Sequence, residues 1–134
     1  MSAEENKELL RRGYIAWATF DEETFVACTA PTWRDLDGAG NEVDNRDNAV
    51  ANMRRHRVAF PDQRLEFHDI LGEGELVASF CTLTATHTGK YFDVEPTGRE
   101  VRSHSLAIHR VVDGQVVESR TMYDGPGFLA QLKR

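Results

Sequence analysis

The chain has 134 residues, a length that suits one domain with one hydrophobic core, so we treat residues 1–134 as a single domain. Hydrophobic residues make up 40% of it, and the net charge of −6 comes from acidic and basic residues mixed along the chain. This balance argues against a nucleic-acid-binding surface, and no apolar run approaches the roughly 18 residues of a membrane span.

The two cysteines, Cys28 and Cys81, indicate the compartment. Both lie in apolar segments, and neither belongs to a CxxC or Cys/His ligand pattern, so no metal site is expected. We expect buried free thiols, which fit a reducing compartment. The acidic N-terminus lacks the apolar segment of a signal peptide, so the protein is expected to be cytoplasmic.

Helical patterns dominate the first half of the chain. Ser2 is placed to cap a first helix, whose apolar stripe includes Tyr14 and Trp17. A second helix is expected over residues 22–30, capped by Asp21 and stopped by Pro31.

A short strand over residues 32–36 is expected next, and it carries Trp33 and Asp35. Residues 37–45 are rich in turn formers, and Asp44 or Asn45 caps a third helix that ends at Pro61. The basic run at residues 54–57 is interpreted as a solvated helix end.

Four strand-like runs follow, at residues 63–71, 75–89, 101–112 and 115–124. Such runs predict an antiparallel meander, with residues 89–98 as a long loop and residues 127–132 as a last helical turn. In the first run, Leu65, Phe67 and Leu71 share the parity expected of the buried face. Helices followed by a meander predict an α+β fold.

Several local motifs in this order resemble the SnoaL-like polyketide cyclase family of the nuclear transport factor 2-like superfamily. The matching segments are Ala59-Phe60-Pro61-Asp62, Thr86-His87-Thr88-Gly89, Pro96-Thr97-Gly98-Arg99, Arg110-Val111-Val112-Asp113-Gly114 and Gln131-Leu132. Each motif is weak alone, but together they cover nearly the whole second half of the chain. They consist of turn residues, so they identify a fold rather than a catalytic centre.

The resemblance implies an α+β cone, in which helices and a curved sheet enclose one deep pocket. It implies a small, largely apolar, oxygenated metabolite as ligand, and homodimers that pair through the outer sheet face. In such cyclases a buried carboxylate takes a proton next to a carbonyl, and the enolate closes a ring without metal or organic cofactor.

The last strand departs from the family pattern at the catalytic position. The family usually carries a His-Trp-Asp run there, and alignment through Asp113-Gly114 gives Ser119-Arg120-Thr121 instead. Threonine cannot serve as the base. We therefore consider Asp124, three residues on, as a rim carboxylate or as the cap of the last helical turn, and Tyr123 as an oxyanion donor.

The hairpin at Asp113-Gly114 decides which histidine shares a face with Thr121. A type I turn with a bulge at Gly114 pairs Val111 with Gln115 and selects His109. A tight two-residue turn pairs Val112 with Gln115 and selects His104. We favour the bulged turn, so His109 is the candidate for proton transfer or hydrogen bonding, and His104 is expected on the outer face.

These choices define the predicted site. The candidate catalytic residues are His109, Asp124 and Tyr123, and the candidate pocket residues are Tyr14, Trp17, Trp33, Asp35, Ser105, Ser119 and Thr121. Cyclisation or isomerisation of a polyketide-like metabolite is the first hypothesis, and a non-catalytic binding module is the second. A hydroxylase or epoxide hydrolase variant is the third, and it would need Arg120, Asp35 and Asp124 to converge.

Overall fold

The computed structural model describes residues 1–133 as four helices and six strands. The helices are α1 (Ala3–Ala18), α2 (Glu22–Cys28), α3 (Arg46–Ala59) and α4 (Gly125–Leu132). The strands are β1 (Thr29–Leu36), β2 (Glu42–Asn45), β3 (Arg64–Glu73), β4 (Leu76–Thr86), β5 (Glu100–Val112) and β6 (Gln115–Tyr123). None of the helices in residues 1–133 is both long and apolar enough to cross a bilayer.

One mixed sheet carries the architecture, in the order β2-β1-β6-β5-β4-β3. Strands β3 to β6 are antiparallel neighbours in chain order, which confirms the predicted meander. β1 joins parallel to β6, and β2 forms the edge. The sheet is curved but not closed, and the helices cover its concave face, so the predicted α+β cone is confirmed.

Side chains at the helix N-termini explain where three helices begin. Ser2 and Glu5 form a capping box on α1, Asp21 accepts from the Thr24 amide of α2, and Asn45 accepts from the Asn48 amide of α3. Asn45 therefore supplies the α3 cap, and Asp44 is free for another role.

The segment between α2 and α3 differs from the prediction in two places. α2 ends at Cys28, and Thr29 and Ala30 already belong to β1, because a residue before proline avoids the helical region. Pro31 lies where the β1–β6 register is interrupted, so its missing N–H breaks no ladder. The turn-rich segment also contains β2, which pairs Asp35 with Asp44 and Arg34 with Asn45.

A bulge in β3 overturns the predicted parity of its second half. Phe67 pairs with Cys81 and Asp69 with Phe80, which leaves His68 as an extra residue. Leu71 is consequently 67% exposed, and Ile70 packs against the core in its place.

The side chains of the β5–β6 hairpin lie on the predicted faces, but the turn that joins the two strands differs from the predicted one. Val112 pairs with Gln115 across a two-residue turn in which Asp113 and Gly114 both have positive φ, as in a type I′ turn. The next pairs are Val111 with Val116 and Arg110 with Glu118, so Val117 is bulged. The bulge restores the parity, and His109 pairs with Ser119 on the concave face.

The segments that carry the family resemblance make scaffold contacts. Asp62 accepts from the Thr86 amide and hydroxyl at 2.8 and 2.7 Å, which ties the end of α3 to the end of β4. His87 and Thr97 join the two ends of the long loop, and Gln131 exchanges two hydrogen bonds with the Arg102 backbone. These contacts hold α4 and the loop over one end of the sheet.

Candidate active site

A cavity of about 320 Å³ lies between the concave face of the sheet and the helices. Leu10, Cys28 and Val116 from one core cluster border it on one side, and Tyr91 and Phe128 from a second cluster border it on the other. A concave, mostly apolar space with a few polar groups is typical of small-molecule sites.

Nine of the ten predicted site residues line this cavity. They are Tyr14, Trp17, Trp33, Asp35, Ser105, His109, Ser119, Thr121 and Tyr123. Tyr123 is 61% exposed, so it borders the cavity at its rim.

Asp124 has a different position. Its carboxylate accepts from the Gly127 amide at 2.9 Å and caps α4, and the residue is exposed and not part of the cavity lining. Of the two roles considered for Asp124, the structure shows the helix cap, and the carboxylate is not at the cavity, so its assignment as a candidate catalytic residue is not supported.

The outer face holds the remaining candidates. His104 is exposed on the predicted face, although the hairpin register differs from the predicted one, and its Nδ1 lies 2.8 Å from the Thr82 hydroxyl. Arg120 pairs with Ile108 on that face and is exposed. Arg120, Asp35 and Asp124 therefore do not converge. Within residues 1–133, no three His, Cys, Asp or Glu side chains are grouped as a metal site.

A chain of hydrogen bonds crosses the cavity wall through His109. The Trp33 indole donates to Ser119 Oγ at 3.0 Å, Ser119 Oγ lies 2.7 Å from His109 Nδ1, and His109 Nε2 lies 2.9 Å from the Tyr14 hydroxyl. Ser79 Oγ is 3.2 Å from the same Nε2. Burial lowers the pKa of His109 to about 3, so the ring is neutral at physiological pH.

The Trp33 indole fixes one end of this chain, because an indole N–H can only donate. The hydroxyls and the neutral imidazole that follow can each donate and accept. Burial raises the pKa of the Tyr14 phenol, so the phenol is neutral at physiological pH. Tyr14 lines the cavity, and its hydroxyl is therefore a candidate hydrogen-bond partner for a ligand oxygen.

Two carboxyl groups face the cavity beside this chain. Asp35 on β1 and Asp44 on β2 are directly paired residues and both line the cavity. Burial raises the pKa of Asp35, the hydrogen bond from Thr121 opposes that rise, and the neighbouring Asp44 adds to it. Burial also raises the pKa of Asp44. Carboxyl groups with raised pKa values at a cavity suit acid/base chemistry.

Thr121 donates to Asp35 Oδ1 at 2.9 Å. Thr121 on β6 thus holds the carboxylate of the adjacent strand β1 at the cavity. Burial is the main cause of the raised pKa of Tyr14, Cys81 adds to the rise, and Asp35 makes the smallest contribution to it.

The sequence analysis did not identify several polar cavity residues, and three of them carry titratable or amide groups: Asp44, Asn52 and His56. Asp44 was interpreted only as a helix cap. His56 was assigned to a solvated basic run, but it is 6% exposed and lies one turn from the buried Met53. The helical spacing of Ala49, Met53 and His56 was the available signal that His56 faces inward.

Fold and cavity together define a small-molecule-binding α+β cone, and comparison with known proteins places it further. The sequence profile described as SnoaL-like polyketide cyclase matches residues 7–132, and the chain belongs to this family. Among curated proteins, none matches this chain.

Solved structures agree with this assignment. AclR of Streptomyces galilaeus, a proposed hydroxylase, is 34% identical over 98% of this chain and 83% of its own, with a TM-score of 0.86. IdmH of Streptomyces antibioticus, a proposed polyketide cyclase, is 29% identical over 96% and 99%, with a TM-score of 0.79. A proposed SnoaL-like polyketide cyclase from Jannaschia sp. CCS1 shares the fold at 20% identity, over 97% and 92%, with a TM-score of 0.80.

Proposed function

We propose that this protein is a cofactor-independent acid/base enzyme that cyclises or isomerises a small, largely apolar, polyketide-like metabolite. The observation that carries the proposal is Asp35, a half-buried carboxylate with a raised pKa, which faces the cavity together with the Tyr14 hydroxyl. A base with a raised pKa is matched to proton abstraction near neutral pH.

In the proposed reaction, Asp35 takes a proton from the carbon next to a ligand carbonyl. Tyr14 donates its hydrogen to the carbonyl oxygen as negative charge develops there. The enolate carbon then attacks a second carbonyl of the same molecule, or is reprotonated at a new position, and Asp35 returns the proton. The apolar walls strengthen both interactions because they exclude water.

His109 has an indirect part in this proposal. Protein groups occupy both of its ring nitrogens, so it orients Tyr14 rather than accepting the substrate proton. Trp33 and Trp17 are proposed as walls, and Tyr123 as a further donor at the rim.

The test is exchange of the α-protons of α-tetralone in deuterium oxide, followed by proton NMR. We expect the wild-type protein to accelerate exchange and Asp35→Asn to lose it by roughly 100-fold or more, since a positioned base contributes about that factor. Asp124→Asn is the matched control, because it removes an exposed carboxylate outside the cavity, and its exchange rate should equal that of the wild type. Full exchange by Asp35→Asn would overturn the assignment.

Two alternatives give different results in the same assay. Binding of α-tetralone without exchange favours a non-catalytic module. The similarity to AclR favours hydroxylation as a second candidate, and incubation with oxygen, a reductant and the ketone would then yield a product that has gained one oxygen atom.

We also propose a homodimer that forms through the outer sheet face. Phe80, Leu106 and Met122 are paired across three neighbouring strands, and Ile108 extends the row on β5. All four are exposed, which makes a contiguous apolar surface. A cytoplasmic location stays a prediction that rests on the two free cysteines.

A further inference from the structure

Helix α3 presents two polar side chains to the cavity that the proposed reaction does not use. Asn52 and His56 both line the cavity, and they lie four residues apart on one helix face. Side chains at this spacing are neighbours, with Cβ atoms about 6 Å apart. Each has one hydrogen-bonding atom fixed by the protein and one left over.

The tautomer of His56 is set by Gln63. The Gln63 Nε2 group donates to the Ala18 carbonyl at 2.9 Å, so Gln63 Oε1 is the atom that lies 3.0 Å from His56 Nδ1. A carbonyl oxygen only accepts, so Nδ1 carries the hydrogen. Burial lowers the pKa of His56 to about 4, so the ring is neutral at physiological pH and Nε2 is an acceptor.

His56 Nε2 is open to the cavity. His56 Nε2 has no hydrogen-bond partner within residues 1–133. In the same range, His87 Nε2 is the one side-chain nitrogen or oxygen that is inaccessible to solvent and also lacks a partner. His56 Nε2 is therefore accessible, and the space its ring borders is the cavity.

The amide of Asn52 is oriented in a comparable way. Arg55 Nη1 donates to Asn52 Oδ1 at 2.9 Å, and the Arg55 guanidinium lies 4.2 Å above the Phe92 ring of the long loop. Because Oδ1 is taken by Arg55, the Asn52 Nδ2 group is left as a donor.

We propose that Asn52 and His56 form a hydroxyl-binding subsite of the cavity. A ligand hydroxyl donates to His56 Nε2 and accepts from Asn52 Nδ2, a combination that a carbonyl or an ether cannot satisfy. Trp17 and Tyr91 pack edge-on against the His56 ring, at 4.9 and 5.5 Å between ring centroids, and both also line the cavity, so aromatic side chains border the subsite. Resting on the proposed function, this subsite narrows the ligand class to aryl ketones with a phenolic hydroxyl remote from the reacting carbonyl.

The experiment compares α-tetralone with its derivatives that carry a hydroxyl or a methoxy group para to the carbonyl. Dissociation constants are measured by NMR titration for the wild type, His56→Phe and Asn52→Leu. We expect the wild type to bind the hydroxy ketone about tenfold more tightly than the methoxy ketone, since unpaired buried polar groups penalise the wrong ligand. His56→Phe should bind both equally and keep its affinity for α-tetralone, which also reports that it is folded.

Asn52→Leu provides a second route if His56→Phe does not fold, and it should reduce the preference severalfold. Asp35→Asn should retain the full preference while losing exchange, so binding and chemistry are separated. Equal binding of the hydroxy and methoxy ketones by the wild type, or an unchanged preference in both α3 variants, would overturn the subsite alone. Failure of all three ketones to bind would overturn the proposed function together with the subsite.

Discussion

In the proposed mechanism, Thr121 and Asp35 together replace the one aspartate of the family pattern. Thr121 occupies the position on β6 where the resemblance places an aspartate, and it donates to Asp35 on the adjacent strand β1. The pairing of Asp35 with Ser119 keeps β1 and β6 side by side at this point. A carboxylate thus remains at the cavity although its strand has changed.

The Thr121 hydrogen bond should set the pH at which Asp35 becomes a base. It stabilises the ionised carboxylate and so lowers its pKa; without it the pKa rises. We expect Thr121→Val to move the acid limb of the pH–rate profile for α-tetralone exchange upward by roughly one pH unit, the value of one charge-assisted hydrogen bond. Thr121→Ser keeps the hydroxyl and should keep the wild-type profile. An unshifted profile for Thr121→Val would show that Asp35 is not the titrating base.

Single residues were predictable from the sequence where strand alternation governs their direction. Ser105, His109, Ser119 and Thr121 follow from parity on two paired strands. The orientations of Asp44 and His56 could not be predicted in this way, since a residue next to a helix cap and a histidine inside a basic run are most often solvated. Their direction depends on how β2 pairs with β1 and how α3 lies on the sheet, which are tertiary facts.

At the scale of elements, the β5–β6 hairpin contains two irregularities whose effects on side-chain orientation cancel. The type I′ turn alone would have turned His109 away from the cavity, and the Val117 bulge turns it back. The alternation pattern indicated the right faces, but it could not locate the bulge, because a single bulged residue leaves the composition of the strand unchanged. The same limit applies to His68 in β3, where the bulge exposes Leu71.

The crossing of the long loop over the end of α3 depends on Gly89. A Cβ atom at this position would lie 1.9 Å from the Val58 carbonyl oxygen. We expect Gly89→Ala to lower the free energy of unfolding by about 3 kcal/mol or more, because backbone must move to relieve the contact. Chemical denaturation measures the change.

Gly98→Ala in the same loop is the matched control. Its φ is +70°, but no atom lies within 4 Å of an added Cβ, so we expect only the cost of the left-handed conformation, about 1 kcal/mol. Equal losses for the two variants would contradict the steric explanation for Gly89.

For the whole molecule, the two faces of the sheet have different surroundings. The concave face encloses the cavity, and the outer face carries Phe80, Leu106, Ile108 and Met122 at exposures from 37% to 62%. Because strand alternation separates them, a change on one face leaves the other in place. The family resemblance predicted this division in outline, whereas the members of the apolar row follow from the register.

The proposed dimer can be tested on the outer face alone. Leu106→Arg combined with Ile108→Arg should convert a dimer into a monomer, since four charges would face one another across a two-fold interface. Sedimentation velocity measures the mass, and Val58→Arg on α3, where the native side chain is 64% exposed, is the control and should remain dimeric. A monomeric wild type would refute the dimer.

The edge position of β2 has a consequence for divergence within the family. This strand has four residues and one neighbour, and it carries Asp44, one half of the carboxyl pair, directly after an exposed turn at residues 37–41. Insertions or deletions in that turn would change the position of Asp44 relative to Asp35, whereas Tyr14 lies on a different element, α1. Changes in a surface hairpin would therefore alter the proposed carboxyl pair while the interior of the domain keeps its residues.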